Sequence, residues 1–207
     1  MANNVFISFR YSDGNKYKEE LMGLFNQSGD TIDYSEDEDR SNMTDATIQA
    51  YLYKKLKRSS VTIVLLTPNA INHQKSWNGY YDDWIYDEIR YSLEDRVNNK
   101  TNGLIAVYVP EAEELILERT THICDICKEQ TSVNIIKLFD NLVRKNMMNV
   151  KEKYKKNKCL NIYDSDYDSY CSLVSYEEFK NNFSRYIRIA DEKRKEIYKY
   201  DLKVRMQ

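Results

Sequence analysis

Trp84 and Glu88 stand four residues apart in the stretch 82–93. On a helix of about 3.6 residues per turn that spacing stacks them on one face, an aromatic beside a carboxylate. Ile85, Ile89 and Leu93, with Trp84 close by, form an apolar stripe that would hold such a helix against a sheet. Glu88 lies at the edge of the stripe. A carboxylate on that border is partly desolvated, which raises its pKa and suits it to catalysis or to gripping a hydroxyl-rich ligand. The same pattern also fits an ordinary exposed glutamate paired with a nearby arginine, because structural ion pairs perturb carboxylates too.

Other chemical equipment is scarce. The chain has no GxxxxGK[ST] loop, no GxGxxG after its first apolar run and no GxSxG elbow, so the common phosphate cradles and hydrolase nucleophile are absent. His73 and His122 are the only histidines, too few for a triad set or a histidine-rich metal centre. Cys124 and Cys127 form a CxxC after His122, but Cys159 and Cys171 stand apart from it and from each other in polar sequence. The expectation is free thiols and no metal. The net charge of -2 provides no basic field for nucleic acid or anionic membrane, and the basic run 151–156 reads as a solvated helix or loop. The catalytic options therefore reduce to carboxylates. One carboxylate beside aromatics and an arginine suffices where the scissile bond already has a good leaving group and the site needs mainly to stabilise an oxocarbenium-like charge. Cleavage of the nicotinamide glycosidic bond of NAD is such a reaction.

The elements that must position these residues follow from hydrophobic periodicity. At 207 residues, with 42% hydrophobic and 31% charged residues and only 5 Gly and 2 Pro, the chain is expected to be one globular domain. Residues 1–5 lack the basic and apolar regions of a secretion signal, and the longest apolar run, 61–66, is too short for a bilayer, so a soluble cytoplasmic protein is expected. Apolar runs at 5–9, 31–34, 61–66 and 104–109 alternate with turn residues and helical stripes, the first turn being 10–15 and the first stripe Tyr17, Leu21, Leu24 and Phe25. Repeated βα units of this kind make a mostly parallel sheet. Ligands bind such sheets beyond the carboxyl ends of the strands, where the loops 9–13, 33–42 and 67–81 and the start of the Trp84 helix converge. Residues 111–168 read as an insertion in which Ile135, Ile136, Leu138, Phe139, Leu142 and Val143 predict an amphipathic helix. A last strand, 170–174, and a closing helix through Tyr176, Phe179, Phe183, Tyr186, Ile187 and Ala190 complete the domain.

Residues 5–13 resemble the opening strand and loop of TIR domains, and residues 60–66 followed by Trp84-Ile85-Tyr86-Asp87-Glu88-Ile89 resemble their third strand and WxxxE helix. Closer still is the resemblance to the TIR component of the bacterial Thoeris anti-phage defence system, which makes a cyclic ADP-ribose isomer from NAD to switch on a separate effector. The resemblance covers roughly residues 5–109 and the strand and helix from Tyr170. It implies a three-layer α/β fold of the TIR or flavodoxin-like kind, a mostly parallel five-stranded sheet with helices on both faces and a helical insertion before the last strand. It also implies that Glu88 is the catalytic glutamate and that Phe9, Arg10, Tyr11 and Asp13 line the nucleotide pocket with Trp84. The stretch from Asp33 to Asp45 would then supply a mobile loop that covers the pocket or meets a neighbouring subunit. NAD would be substrate, with no further cofactor, no metal, no nucleic acid and no membrane; the partners would be other TIR surfaces and an effector reached through the product. Two features depart from the family pattern: the size of the 111–168 insertion, and the acidic residues 35–39 beside a pyrophosphate substrate, whose repulsion Arg10 and Arg40 would relieve. Two rivals remain, a non-enzymatic TIR interaction module in which Trp84 and Glu88 only stabilise their helix, and a flavodoxin-like or receiver-like binding domain. The lack of an acidic pair directly after the first strand counts against a receiver.

Overall fold

Six consecutive buried residues, Val61–Leu66, make the strand on which the sheet is built. A β-branched run buried on both faces belongs at the centre of a parallel sheet, and its neighbours confirm that position. The computed structural model describes residues 3–29, 31–33, 45–96, 100–128, 130–157, 159 and 162–206. In chain order the main elements are β1 (Asn3–Ser8), α1 (Tyr11–Ser28), β2 (Thr31–Asp33), α2 (Asp45–Leu56), β3 (Val61–Leu66), α3 (Trp84–Leu93), β4 (Gly103–Tyr108), α4 (Glu113–Ile116), β5 (Leu117–Ile123), β6 (Gln130–Ile136), α5 (Leu142–Lys145), β7 (Cys171–Ser175) and α6 (Tyr176–Lys195). The main sheet has the order β2-β1-β3-β4-β7, and each neighbouring pair is parallel. In register, Ser8 lies beside Val64, Val64 beside Ala106, and Tyr108 beside Ser175, so these strands finish along one edge.

Helices cover both faces. Alternation along β1 sends Phe6 to the side of α2 and α3, where it packs with Leu52, Leu56 and Tyr91. Val5 and Ile7 join the larger core that includes Tyr17, Leu21 and Phe25 of α1. On that second side α1 meets α6 through Tyr17 and Tyr176, with ring centroids 4.7 Å apart, and through Phe25 and Phe183 at 5.2 Å. On the first side Tyr53 of α2 stacks on Tyr91 of α3 at 3.9 Å.

The structure corrects two sequence expectations. Residues 10–15 are not a turn: α1 begins at Tyr11, and the Gly14 N–H closes the first turn on the Arg10 carbonyl at 2.7 Å. Gly14 permits this because a Cβ there would stand 3.2 Å from the Phe9 Cβ. The insertion is not principally helical either. Its largest regular unit is the antiparallel pair β5 and β6, in which Ile135 and Ile136 belong to a strand and only Leu142–Lys145 is helical. Threonines and β-branched residues at 120–121, 131, 133 and 135–136 favour the extended chain, and period two overrides the expected helical spacing there. Among the described residues no helix is long and apolar enough to cross a membrane.

Candidate active site

The Trp84 helix starts where it does because Asp83 caps it. Asp83 is extended, and one carboxylate oxygen accepts the Tyr86 N–H at 2.9 Å. Its other oxygen accepts the Gln74 N–H at 2.6 Å, pairs with Arg10 Nη2 at 3.2 Å and faces His73 Nδ1 at 3.6 Å. The Asp83 side chain is only 1% exposed. His73 Nε2 accepts the Leu142 N–H at 3.0 Å, which leaves the imidazole proton on Nδ1, directed at Asp83. Burial holds the His73 pKa down to about 4, with the Asp83 and Asp140 charges opposing that shift and Arg10 adding to it. The imidazole is neutral at neutral pH and works as a strut between α3 and the insertion.

One turn into α3, Glu88 is buried, and its Oε2 accepts a hydrogen bond from the Ser8 hydroxyl at 2.6 Å. Ser8 is the last residue of β1, so the carboxylate stands at the carboxyl edge of the sheet. The exposed-glutamate alternative is set aside by this burial. Arg90 of the same helix pairs with Asp87 at 2.9 Å and with Glu94 at 3.1 Å. Trp84, a turn before Glu88, is half-buried against Phe6, Leu52, Leu56 and Tyr91.

The loop after β1 places the other expected residues. Phe9 is half-buried against the main core, with its ring 6.4 Å from that of Tyr11. Arg10 is held by Asp83, and its buried Nε has no hydrogen-bond partner among the described residues. Tyr11 is 63% exposed. Asp13 is engaged from two sides, accepting the Thr67 hydroxyl at 2.8 Å and the Asn69 N–H at 3.0 Å, and so ties α1 to the loop after β3. Tyr11 and Asp13 border a cleft of about 380 Å³ with Ser12, Lys16, Pro68 and Glu111, whose walls include neither Glu88 nor Trp84. Beside it the Glu111 carboxyl is held down to about 2 by the Tyr17 hydroxyl at 2.5 Å, its own backbone N–H and Lys16 at 3.0 Å. Asp45 opens α2, but its side chain and residues 34–44, including Arg40 and most of the expected covering loop, lie outside the described residues.

Sequence reasoning missed Ser8, His73 and Asp83. Asp83 carried a signal, an aspartate just before an apolar helical pattern, where an N-cap belongs. Ser8 and His73 carried none, since their partners lie far away along the chain.

A parallel sheet wrapped on both faces by helices, with a Trp-x-x-x-Glu helix at its carboxyl edge, defines a TIR-like domain. The family described as Thoeris protein ThsB, TIR-like domain, matches residues 6–114. The chain belongs to that family, and with it to the Thoeris anti-phage defence system.

Proposed function

We propose that this protein cleaves the nicotinamide glycosidic bond of NAD and converts the remainder into a cyclic ADP-ribose isomer that signals to a separate effector. The observation that carries the reading is the buried Glu88 carboxylate, oriented by Ser8 at the carboxyl edge of the sheet. When the bond between nicotinamide and the ribose breaks, the electron pair leaves with neutral nicotinamide and positive charge develops on the sugar. Glu88 stabilises or captures that charge, and a nucleophilic atom of the same nucleotide then closes the ring and gives up its proton. Ser8 is a positioning residue, since its hydroxyl fixes Glu88 rather than touching substrate. Phe9, Tyr11 and Trp84 offer aromatic surface to the bases, Arg10 brings positive charge toward the pyrophosphate, and Asp13 and Asp45 are assigned to nucleotide binding by the resemblance to the family. In this reading residues 1–207 are one TIR-like domain with 111–168 inserted, and the enzyme acts in the cytoplasm as an assembly of copies without a bound cofactor.

The test is incubation with NAD, alone and with phage-infected lysate, followed by mass analysis of the products. The wild type is expected to release nicotinamide and a cyclised nucleotide, and Glu88→Gln neither. Ser8→Ala is expected to lower turnover by up to about 100-fold, the scale of a misplaced catalytic group. Undiminished NAD consumption by Glu88→Gln removes the catalytic assignment. A second reading, a binding module acting through TIR surfaces, is favoured by Trp77 and Tyr80, 100% and 74% exposed in the loop after β3. It predicts no NAD turnover by the wild type under either condition and loss of self-association in Trp77→Ala.

A further inference from the structure

Cys124 and Cys127 sit in the turn between β5 and β6, and Cys159 comes from a separate loop late in the insertion. The fold brings the three sulfurs within 4.8 Å of one another, although spacing along the chain had left Cys159 apart from the CxxC. We infer that Cys124, Cys127 and Cys159 bind a zinc ion that clips the β5–β6 turn to the loop around Cys159.

Geometry supports this in three ways. The Cys127 and Cys159 sulfurs are 4.0 Å apart. A tetrahedral zinc with Zn–S bonds of about 2.3 Å sets its sulfurs about 3.8 Å from one another, whereas a disulfide needs about 2.05 Å. The turn itself has the shape of a ligand loop. Lys128 N–H closes it on the Cys124 carbonyl at 2.8 Å, and Lys128 takes a left-handed φ of 61°, a conformation uncommon in residues other than glycine. Third, the charge is met. Three thiolates and a divalent cation carry one net negative charge, and the Lys155 ammonium donates to the Cys159 carbonyl at 3.0 Å.

Soft thiolates select zinc over hard cations, and binding releases the three thiol protons. Among the described residues no further His, Cys, Asp or Glu joins the group, which leaves the fourth ligand to come from solvent or from chain outside them. Exposed Cys127 and half-buried Cys159 give it access. The clip is structural: β6 and the segment around Tyr163 both line a cavity of about 490 Å³ together with Met147, Cys171 and Leu173, and the metal ties together two pieces of chain that border it.

The test uses full-length protein from zinc-supplemented cells, analysed for metal, and apoprotein titrated with cobalt(II). About one zinc per chain is expected, with cobalt giving thiolate charge-transfer bands and intense tetrahedral d–d bands. Cys159→Ser is expected to weaken cobalt binding by more than the roughly 10- to 100-fold that a supporting outer partner is worth. Cys171→Ala, a buried cysteine outside the group, is expected to keep full metal content. Zinc below about a tenth of an equivalent with no cobalt charge-transfer band overturns the inference. So does unchanged affinity in Cys159→Ser, metal loss in a Cys171→Ala protein that is folded like the wild type, or a disulfide between any two of the three. The wild-type cobalt spectrum reports thiolate ligation by itself, so the result stands even where a variant folds poorly.

Discussion

Asp83 organises more of the candidate site than Glu88 does. With two oxygens it caps α3, fixes the Gln74 backbone, pairs with Arg10 and faces the His73 imidazole. A carboxylate that is 1% exposed is tolerable only because hydrogen bonds and a cation replace its water. Asp83→Asn keeps an acceptor for the helix cap but leaves Arg10, itself only 17% exposed, without its counter-charge. The expected cost is about 3 kcal/mol or more, the range for breaking a buried ion pair from one side. Urea denaturation of the variant measures it. A loss below about 0.5 kcal/mol, the scale of an ordinary surface change, contradicts the role assigned to Asp83. At this scale the sequence was half readable. Trp84 and Glu88 could be placed on one face by spacing alone, while the grip of Ser8 on Glu88 and of Asp83 on Arg10 depends on strands and loops meeting in space.

Among the elements, the loop between β3 and α3 is held against the end of the insertion. His73 N–H donates to the Asp140 carbonyl at 2.9 Å, Tyr81 donates to the Asp140 carboxylate at 2.8 Å, and Asn141 donates to the Ala70 and Ile71 carbonyls. His73 makes this joint sensitive to pH. Its pKa is about 4 when folded against an ordinary 6.5, so between those values the unfolded chain binds a proton that the folded chain refuses. Stability contributed by the neutral imidazole is complete above pH 6.5 and declines as pH falls toward 4, by up to roughly 1.4 kcal/mol per pH unit. Glu111 acts lower, its contribution being lost as pH falls from 4.5 toward 2, and its exposure keeps that contribution small. His73→Gln retains an acceptor for Leu142 and is expected to flatten the urea-midpoint profile over the upper window only. Parallel profiles for wild type and variant rule out the imidazole as the source. The βα units were legible because each strand is a buried apolar run and each helix has its own stripe. The insertion was misread because Ile135, Ile136, Phe139, Leu142 and Val143 satisfy a helical spacing while Thr131, Val133 and Ile135 also alternate, and pairing with β5 decides between them.

For the whole molecule, the sheet is finished by chain that returns only after the insertion. β7 pairs with β4, and α6 packs back across β4 while touching α1 through Tyr176 and Phe183. The seat of α6 is the start of β4. Arg194 Nε donates to the Thr101 carbonyl at 2.9 Å, Tyr170 donates to the Asn102 carbonyl at 2.7 Å, and the Gly103 Cα lies so close to α6 that a Cβ would overlap the Ala190 carbonyl oxygen. Gly103→Ala therefore forces α6, and with it the contact to α1, away from the sheet. Overpacking ordinarily costs about 1–3 kcal/mol, and the upper end or beyond is expected because the obstacle is main chain that no rotamer change can remove. Gly23→Ala is the same chemical change in the interior of α1, where nothing lies within 4 Å of the new methyl group. There the gain in helix propensity and the stiffer unfolded chain are expected to stabilise by about 0.5–1 kcal/mol. Thermal unfolding of the two variants should move in opposite directions from the wild type. A Gly103→Ala protein as stable as the wild type means that α6 does not rest on β4 as closely as the sheet requires.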